Sequence, residues 1–434
     1  MFGLIFDISI PAMKKHLFLL VILSFLGAVS VLIWLGILLH PARPWDFQPV
    51  GDDGEPPPGP QAWPPVCVLV PARNESESLP QTLPALLRQD YPGDLAVVLI
   101  DDRSQDGTAD IACKVAEESG AADRLTVISG ADLPEGWVGK VWALEQGAAH
   151  CGLRVVNERL PQFPTPWPPA PGPPYLLLTD ADIRHAPELL RRLVAESEKD
   201  RLALNSRMAR LRCVSRPERL LIPAFVFFFN LLYPMRRVND QRSAVAAAAG
   251  GCVLLAASAI ERAGGFACIK NKIIDDVSLA RQIKRLNVPI HLALSHHEVE
   301  SLRTYDSLAT VWAMVRRTAF AELRYSWVRL AGTVMGLAVM FLLPPVWLVG
   351  GTGLTLAGIL GWLPVSVPWA VVLAAEGFCA WALMAIVYRP AVLFFGLSGA
   401  WSWTLPLAGI LYGAMTIDSA LRHLAGLGTG WRGR

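Results

Sequence analysis

A chain of 434 residues that is 53% hydrophobic, with a mean hydropathy of +0.38, is too apolar for an ordinary soluble protein and excludes disorder. Charged residues make up only 18%, and 39 Lys+Arg against 37 Asp+Glu leave no basic field to hold a nucleic-acid backbone. The seven cysteines are scattered without metal-ligand spacing and read as reduced, mostly buried thiols of a cytosol-facing protein.

Leu17 to Leu39 is an uncharged run of 23 residues, enough to cross a hydrocarbon core of about 30 Å and too long for the apolar region of a signal peptide. Residues 1–40 therefore form an N-terminal transmembrane anchor. Eight prolines with Asp52, Asp53 and Glu55 make 41–64 a Pro-rich linker that stays extended rather than packing. Mixed polarity over 65–328 suits one α/β domain with its own core. From Leu330 to Ala420 only Glu376, Arg389 and Asp418 are charged, so 329–420 holds about three C-terminal transmembrane helices, followed by a basic tail, 421–434.

Within the domain, Val66 to Val70 and Leu95 to Ile100 are continuous apolar runs that fit strands buried on both faces, and Tyr175 to Leu178 is a third. Asn74-Glu75-Ser76-Glu77 offers N-cap chemistry to a helix over Leu79–Leu87, and Ser104 to Thr108 does so for Ala109–Glu118. A second proline tract, Pro161 to Pro174, loops out on the surface. Strands alternating with helices predict a mainly parallel sheet, whose ligands bind outside the carboxyl ends of the strands.

Acidic clusters stand at those ends. Asp180 and Asp182, two apart on an extended backbone, can both turn to one hard cation, and their place after an apolar strand raises them above a chance pair. Asp101-Asp102 also fits an Asx turn or a helix cap, and one of Asp275 and Asp276 fits the N-cap of a helix over Val277–Leu286. Adjacent His296 and His297 point to opposite faces of a strand and share no ion. Leu220 to Met235 is uncharged but broken by Pro223, and reads as a membrane-dipping segment bordering an acceptor groove, with buried core as the alternative. Phe320, Leu323, Trp327 and Leu330 recur at helical spacing with Arg317, Arg324 and Arg329 elsewhere, a basic amphipathic helix at headgroup level. Gly250-Gly251 and Gly264-Gly265 read as tight acceptor-side turns.

Pro71-Ala72-Arg73-Asn74-Glu75, Asp101-Asp102-Arg103-Ser104, Gly139-Lys140, Asp180-Ala181-Asp182 and Asp275-Asp276 resemble, in order and spacing, the family 2 glycosyltransferases of GT-A fold. Gly136 to Lys140 and Arg303-Thr304-Tyr305 are similar to the hopanoid-associated (hopene-associated) membrane branch. The resemblance implies a Rossmann-like GT-A domain with the nucleotide sugar against Pro71, Arg73, Glu75, Asp101, Asp102, Lys140 and Asp180. It implies Mg²⁺ or Mn²⁺ on Asp182 with Asp180 beside it, and Asp276, with Asp275 as the alternative, as general base of an inverting transfer. The family usually has Glu-Asp where Asp275-Asp276 stands. Met314 to Thr318 keeps only the arginine of the Gln-x-x-Arg-Trp signature of sugar-polymerising relatives, which disfavours chain building and leaves Arg317 to reach the diphosphate by a bidentate fork or to lie at the membrane surface.

The expectation is a metal-dependent enzyme of the inner (cytoplasmic) membrane, its catalytic domain facing the cytoplasm, that moves one sugar from a nucleotide sugar, UDP-linked by the resemblance, to a lipid acceptor, with no nucleic-acid partner. The alternative is a non-catalytic membrane scaffold with a nucleotide-sensing α/β domain. A nucleotidyl- or phosphotransferase is disfavoured because no G-x-x-x-x-G-K-[ST] loop is present.

Overall fold

A computed structural model describes residues 12–48, 58–153 and 174–427. Most of the second proline tract, part of the linker and the end of the basic tail lie outside the described residues. The chain runs α1 (Ala12–Leu39), β1 (Val66–Ala72), α2 (Leu79–Leu87), β2 (Leu95–Asp101), α3 (Thr108–Glu118), β3 (Leu125–Ser129), α4 (Gly139–His150) and β4 (Tyr175–Leu178). It continues through β5 (Ile183–His185), α5 (Leu189–Asp200), β6 (Leu204–Met208), α6 (Arg216–Leu232), α7 (Met235–Asn239), β7 (Val253–Ala256), α8 (Ala257–Arg262), α9 (Asp275–Arg285), β8 (Ile290–Leu294) and β9 (Val299–Ser301). The last helices are α10 (Leu308–Glu322), α11 (Trp327–Leu337), α12 (Leu343–Ile359), α13 (Val367–Phe394) and α14 (Leu405–Leu424).

Seven strands form one sheet in the order β3-β2-β1-β4-β7-β6-β8. The pairs β1–β2, β2–β3, β1–β4 and β6–β8 are parallel, and β7 is antiparallel to both neighbours. All seven residues of β1 are buried because helices cover both faces. Cys67 and Leu69 pack in the core under α4 and α9, while Val66, Val68 and Val70 pack in the core under α2, α3 and α5. The carboxyl ends of β1, β2 and β4 are adjacent, which gathers three of the acidic clusters at one edge.

Four helical stretches are long and apolar enough to cross a membrane: Val21–Leu39, Trp327–Ile359, Val367–Phe394 and Gly399–Leu424. The first and third pack together, with Ser24 donating to Glu376 at 2.7 Å, and Gly377 lets α13 lie against the backbone of Leu348. Phe394, ending α13, meets His296 of the α/β domain. The far end of α14 also returns to this domain, where Trp312 of α10 donates to Asp418 at 2.8 Å and Ser419 donates to the Arg316 carbonyl at 2.5 Å.

Several expectations need correcting. Residues 41–48 pack rather than stay extended: Phe47 stacks on Phe227, and Asn230 donates to the Pro44 carbonyl at 2.7 Å. The aromatic anchors Trp45 and Phe47 outweigh the prolines there. No single helix runs through Phe320 to Leu330, because Arg324 and Tyr325 take positive φ and Ser326 caps α11. Leu220–Met235 spans most of α6, a turn and the start of α7; Leu221, Ile222 and Phe227 are fully buried, and the Leu221 carbonyl accepts from Tyr412 of α14 at 2.9 Å. Cys67 and Cys151 pair as a disulfide, and of the others only Cys252 is buried.

Candidate active site

The loops after β1 and β2 are zipped together. Backbone amides of Asn74, Glu75 and Ser76 donate to the side chains of Ser104, Thr108 and Asp106, and Gln105 N donates to Asn74 Oδ1. The polar residues expected to cap α2 thus bind the neighbouring loop, and α2 begins at Ser78 without a side-chain cap. Burial would raise the Asp106 carboxyl, but hydrogen bonds from Thr108 and Ser76 bring it down to about 2. Arg73 Nη1 donates to the Asp102 carbonyl at 2.7 Å and lies 3.4 Å from its carboxylate, while Asp101 Oδ1 accepts from Ser104 N at 3.1 Å.

Asp180-Ala181-Asp182 is a turn between β4 and β5, not an extended segment. Its three carbonyls are pinned: Asp180 accepts from Ile183 N, Ala181 from Thr82 Oγ1 at 2.7 Å and Asp182 from Leu302 N at 2.9 Å. Beneath it Thr179 donates to the Gly251 carbonyl and touches His185, whose imidazole burial pushes down to about 4.

The side chains meet in a cleft of about 270 Å³. Pro71, Glu75, Lys140, Asp180, Asp182, Asp275, Asp276 and Arg317 line it; Arg73, Asp101 and Asp102 do not. The paired aspartates face different cations. Lys140 at the start of α4 sits 2.7 Å from Asp180 and 3.3 Å from Asp275, while Arg303 Nε sits 2.8 Å from Asp182 and its Nη2 3.2 Å from Glu75. Burial lowers the Lys140 pKa, but these carboxylates outweigh it and hold the ammonium charged. Arg303 and Tyr305 stand in the lining without having been assigned to the site; the Arg-Thr-Tyr phrase was their signal.

Asp275 and Asp276 open α9, whose N-cap is Ile274, so neither acid serves as the cap. Both reach the cleft. Asp276 Oδ2 accepts from Gly250 N at 2.9 Å and Oδ1 from Val277 N at 2.7 Å. Burial and the charge of Asp275 push the Asp276 carboxyl up to about 7, against the opposing pull of Lys140. A carboxylate so tuned can accept a proton near neutral pH. Gly250 and Gly251 line the cleft, while Gly264 and Gly265 close α8 elsewhere. Apolar side chains complete the lining, with Phe225, Val226 and Phe229 of α6 and Met208 and Leu211.

His296 and His297 lie after β8 rather than on a strand, and their ring nitrogens approach to 2.6 Å. Among the described residues, no three acidic, histidine or cysteine side chains gather to cage a metal alone.

Residues 67–264 match the family model described as glycosyl transferase family 2. The sequence has no match among curated proteins. Among solved structures it is similar to a mannosyltransferase from Pyrobaculum calidifontis in complex with GDP-Man and Mn²⁺: 20% identity, 93% of this chain and 99% of that one covered, TM-score 0.52. A glucosyl-3-phosphoglycerate synthase from Mycobacterium tuberculosis with Mn²⁺ and UDP-glucose follows at 17% identity, covering 59% of this chain and 78% of that one, with a TM-score of 0.34. At such identities the first likeness speaks for the fold, over nearly the full length of both chains. With a family match over 67–264 and a mostly parallel sheet of GT-A-like fold, the chain carries a family 2 glycosyltransferase domain and is a glycosyltransferase.

Proposed function

We propose that the chain moves one sugar from a nucleotide sugar, UDP-linked, to the hydroxyl of a membrane lipid, possessing the hopanoid-associated specificity its sequence resembles. The observation that carries this reading is a cleft lined both by Lys140, Asp180, Asp182 and Asp276 and by an apolar wall from α6. Since α6 packs on α13 and α14, the wall is continuous with the membrane-length helices, and a lipid hydroxyl can reach Asp276 without its chain entering water.

In this reading Asp276 takes the hydroxyl proton as the acceptor oxygen bonds to the anomeric carbon. The bond from that carbon to the diphosphate oxygen breaks in the same displacement, so the anomeric centre inverts. Lys140 holds Asp180 and Asp275 in place and keeps a positive charge beside the diphosphate. Pro71 and Glu75, with Arg73, Asp101 and Asp102 behind them, form the nucleotide side, and Arg317 meets the diphosphate.

The donor atoms suit a divalent cation. Asp182 supplies hard carboxylate oxygen for Mg²⁺ or Mn²⁺, and further ligands have to come from the diphosphate, because no protein cage surrounds it among the described residues. Such an ion, when bound, offsets charge on the departing diphosphate.

The catalytic unit of this reading is 65–328, between the anchor and the C-terminal helices. Phe394 and Asp418 both touch the α/β domain, so the chain between them returns to the side it left; Gly399–Leu424 then enters the membrane without crossing it. In this reading the arginines at 316–329 share one face with Arg422, since Arg316 and Arg422 both meet Asp418, and the positive-inside rule assigns that face to the cytoplasm of the inner membrane. The test is to incubate membranes containing the protein with labelled UDP- and GDP-sugars and extract the lipids. A labelled lipid that disappears with Asp276→Asn supports the reading; donor binding with no transfer to any lipid selects the scaffold instead.

A further inference from the structure

We infer that Arg303 is a resident counter-ion of Asp182 that makes capture of a divalent cation depend on the nucleotide diphosphate. This rests on the reading of Asp182 as the cation's ligand. The placement of Arg303 follows from strand pairing. β5 leaves the Asp180-Ala181-Asp182 turn directly and pairs antiparallel with β9, Ile183 opposite Ser301, so the residues after β9 lie beside Asp182. Leu302 N donates to the Asp182 carbonyl at 2.9 Å, and Arg303 then sets Nε 2.8 Å from Asp182 Oδ2 and Nη2 3.2 Å from Glu75 Oε1.

The Asp182 and Glu75 side chains are only 9% and 8% exposed, so little water screens these pairs. A guanidinium stays charged at any working pH. A divalent cation arriving at Asp182 must compete with Nε for the carboxylate and approach a fixed positive charge. A diphosphate changes both terms: its oxygens match the guanidinium fork and give Arg303 another partner, while they complete the coordination of the ion. Cation and nucleotide are therefore coupled, each tightening the other by the same factor.

A guanidinium serving only as a strut between Glu75 and Asp182 predicts the opposite result on removal. Losing a strut leaves cation binding unchanged or weaker; losing a competing charge strengthens it. The experiment is a Mn²⁺ titration of the full-length protein in detergent, read by electron paramagnetic resonance, without nucleotide and with UDP or GDP. For Arg303→Gln, Mn²⁺ affinity without nucleotide should rise about five- to tenfold, the loss of an ion pair of this exposure, and the coupling to nucleotide should shrink. Unchanged or weaker Mn²⁺ binding by folded Arg303→Gln overturns the inference. If that variant does not fold, Arg303→Lys, which keeps charge but loses the planar fork, should show a smaller rise, and no rise overturns it equally. Asp182→Ala that binds Mn²⁺ like wild type with nucleotide present would remove the parent reading instead.

Discussion

Replacing Asp276 by Asn keeps the size of the side chain and removes its capacity to accept a proton. With the carboxyl pushed up to about 7, roughly half of the protein carries the basic form at pH 7 and about a tenth at pH 6. Transfer should therefore rise about tenfold from pH 5 to 6 and level off above 7, measured as kcat/KM with labelled donor and extracted lipid. Asp276→Asn should lower kcat by roughly 10²–10⁴ and abolish that rise, while donor affinity persists. The neighbours supply signed controls. Asp275→Asn removes the like charge that raises Asp276, so the rising limb moves to lower pH; Lys140→Met removes the opposing cation, so it moves to higher pH. Stability gives an independent readout. An acid whose folded pKa lies above its ordinary 3.8 holds its proton more tightly when folded, so stability declines as pH rises from about 4 to 7. Asp276→Asn should remove that decline and melt higher than wild type at pH 8. A variant that transfers sugar at the wild-type rate with the same pH limb refutes the assignment, and a dead Asp275→Asn beside it would swap the two roles.

Asp182→Ala should abolish the part of donor binding that depends on Mg²⁺ or Mn²⁺ and leave the fold intact; full activity in excess chelator would overturn that role. Asp180→Ala, which leaves Lys140 with Asp275 alone of its two ion-pair partners, should weaken donor binding less, as read by titration with UDP and GDP. Cysteines introduced at Gly59 and Ala425 in a background lacking exposed thiols should both resist membrane-impermeant reagent in intact cells, and labelling at Ala425 alone would show that Gly399–Leu424 crosses after all. A methyl on Gly377 would stand 2.4 Å from Leu348 N and 2.7 Å from the Pro344 carbonyl, so Gly377→Ala should cost roughly 1–3 kcal/mol by forcing α12 and α13 apart, visible as a lowered melting temperature in detergent.

Sequence alone determined the features that rest on short-range patterns. The apolar runs of β1, β2 and β4 fitted strands buried on both faces, and their order with helices implied a mainly parallel sheet with ligands at its carboxyl edge. The acidic pairs were legible because each follows such a run or opens a helix, and the membrane-length segments because a run of 20 apolar residues has few other uses. Tertiary structure decided what depends on which distant residues meet. Insertion of β7 antiparallel between β4 and β6 brings Gly250 N to Asp276, and the pairing of β5 with β9 brings Arg303 to Asp182, contacts across 26 and 121 residues of chain that no local pattern encodes. The caps expected of Asn74 to Glu77 failed because this stretch is tied through its own amides to the side chains of the neighbouring loop, upstream of the first turn of α2. Residues 41–48 folded against α6 because Phe47 buries its ring against Phe227 and Phe394. Charge signs were readable residue by residue; which carboxylate each cation holds, and hence which of two adjacent aspartates is driven toward neutrality, was set only by the packing around them.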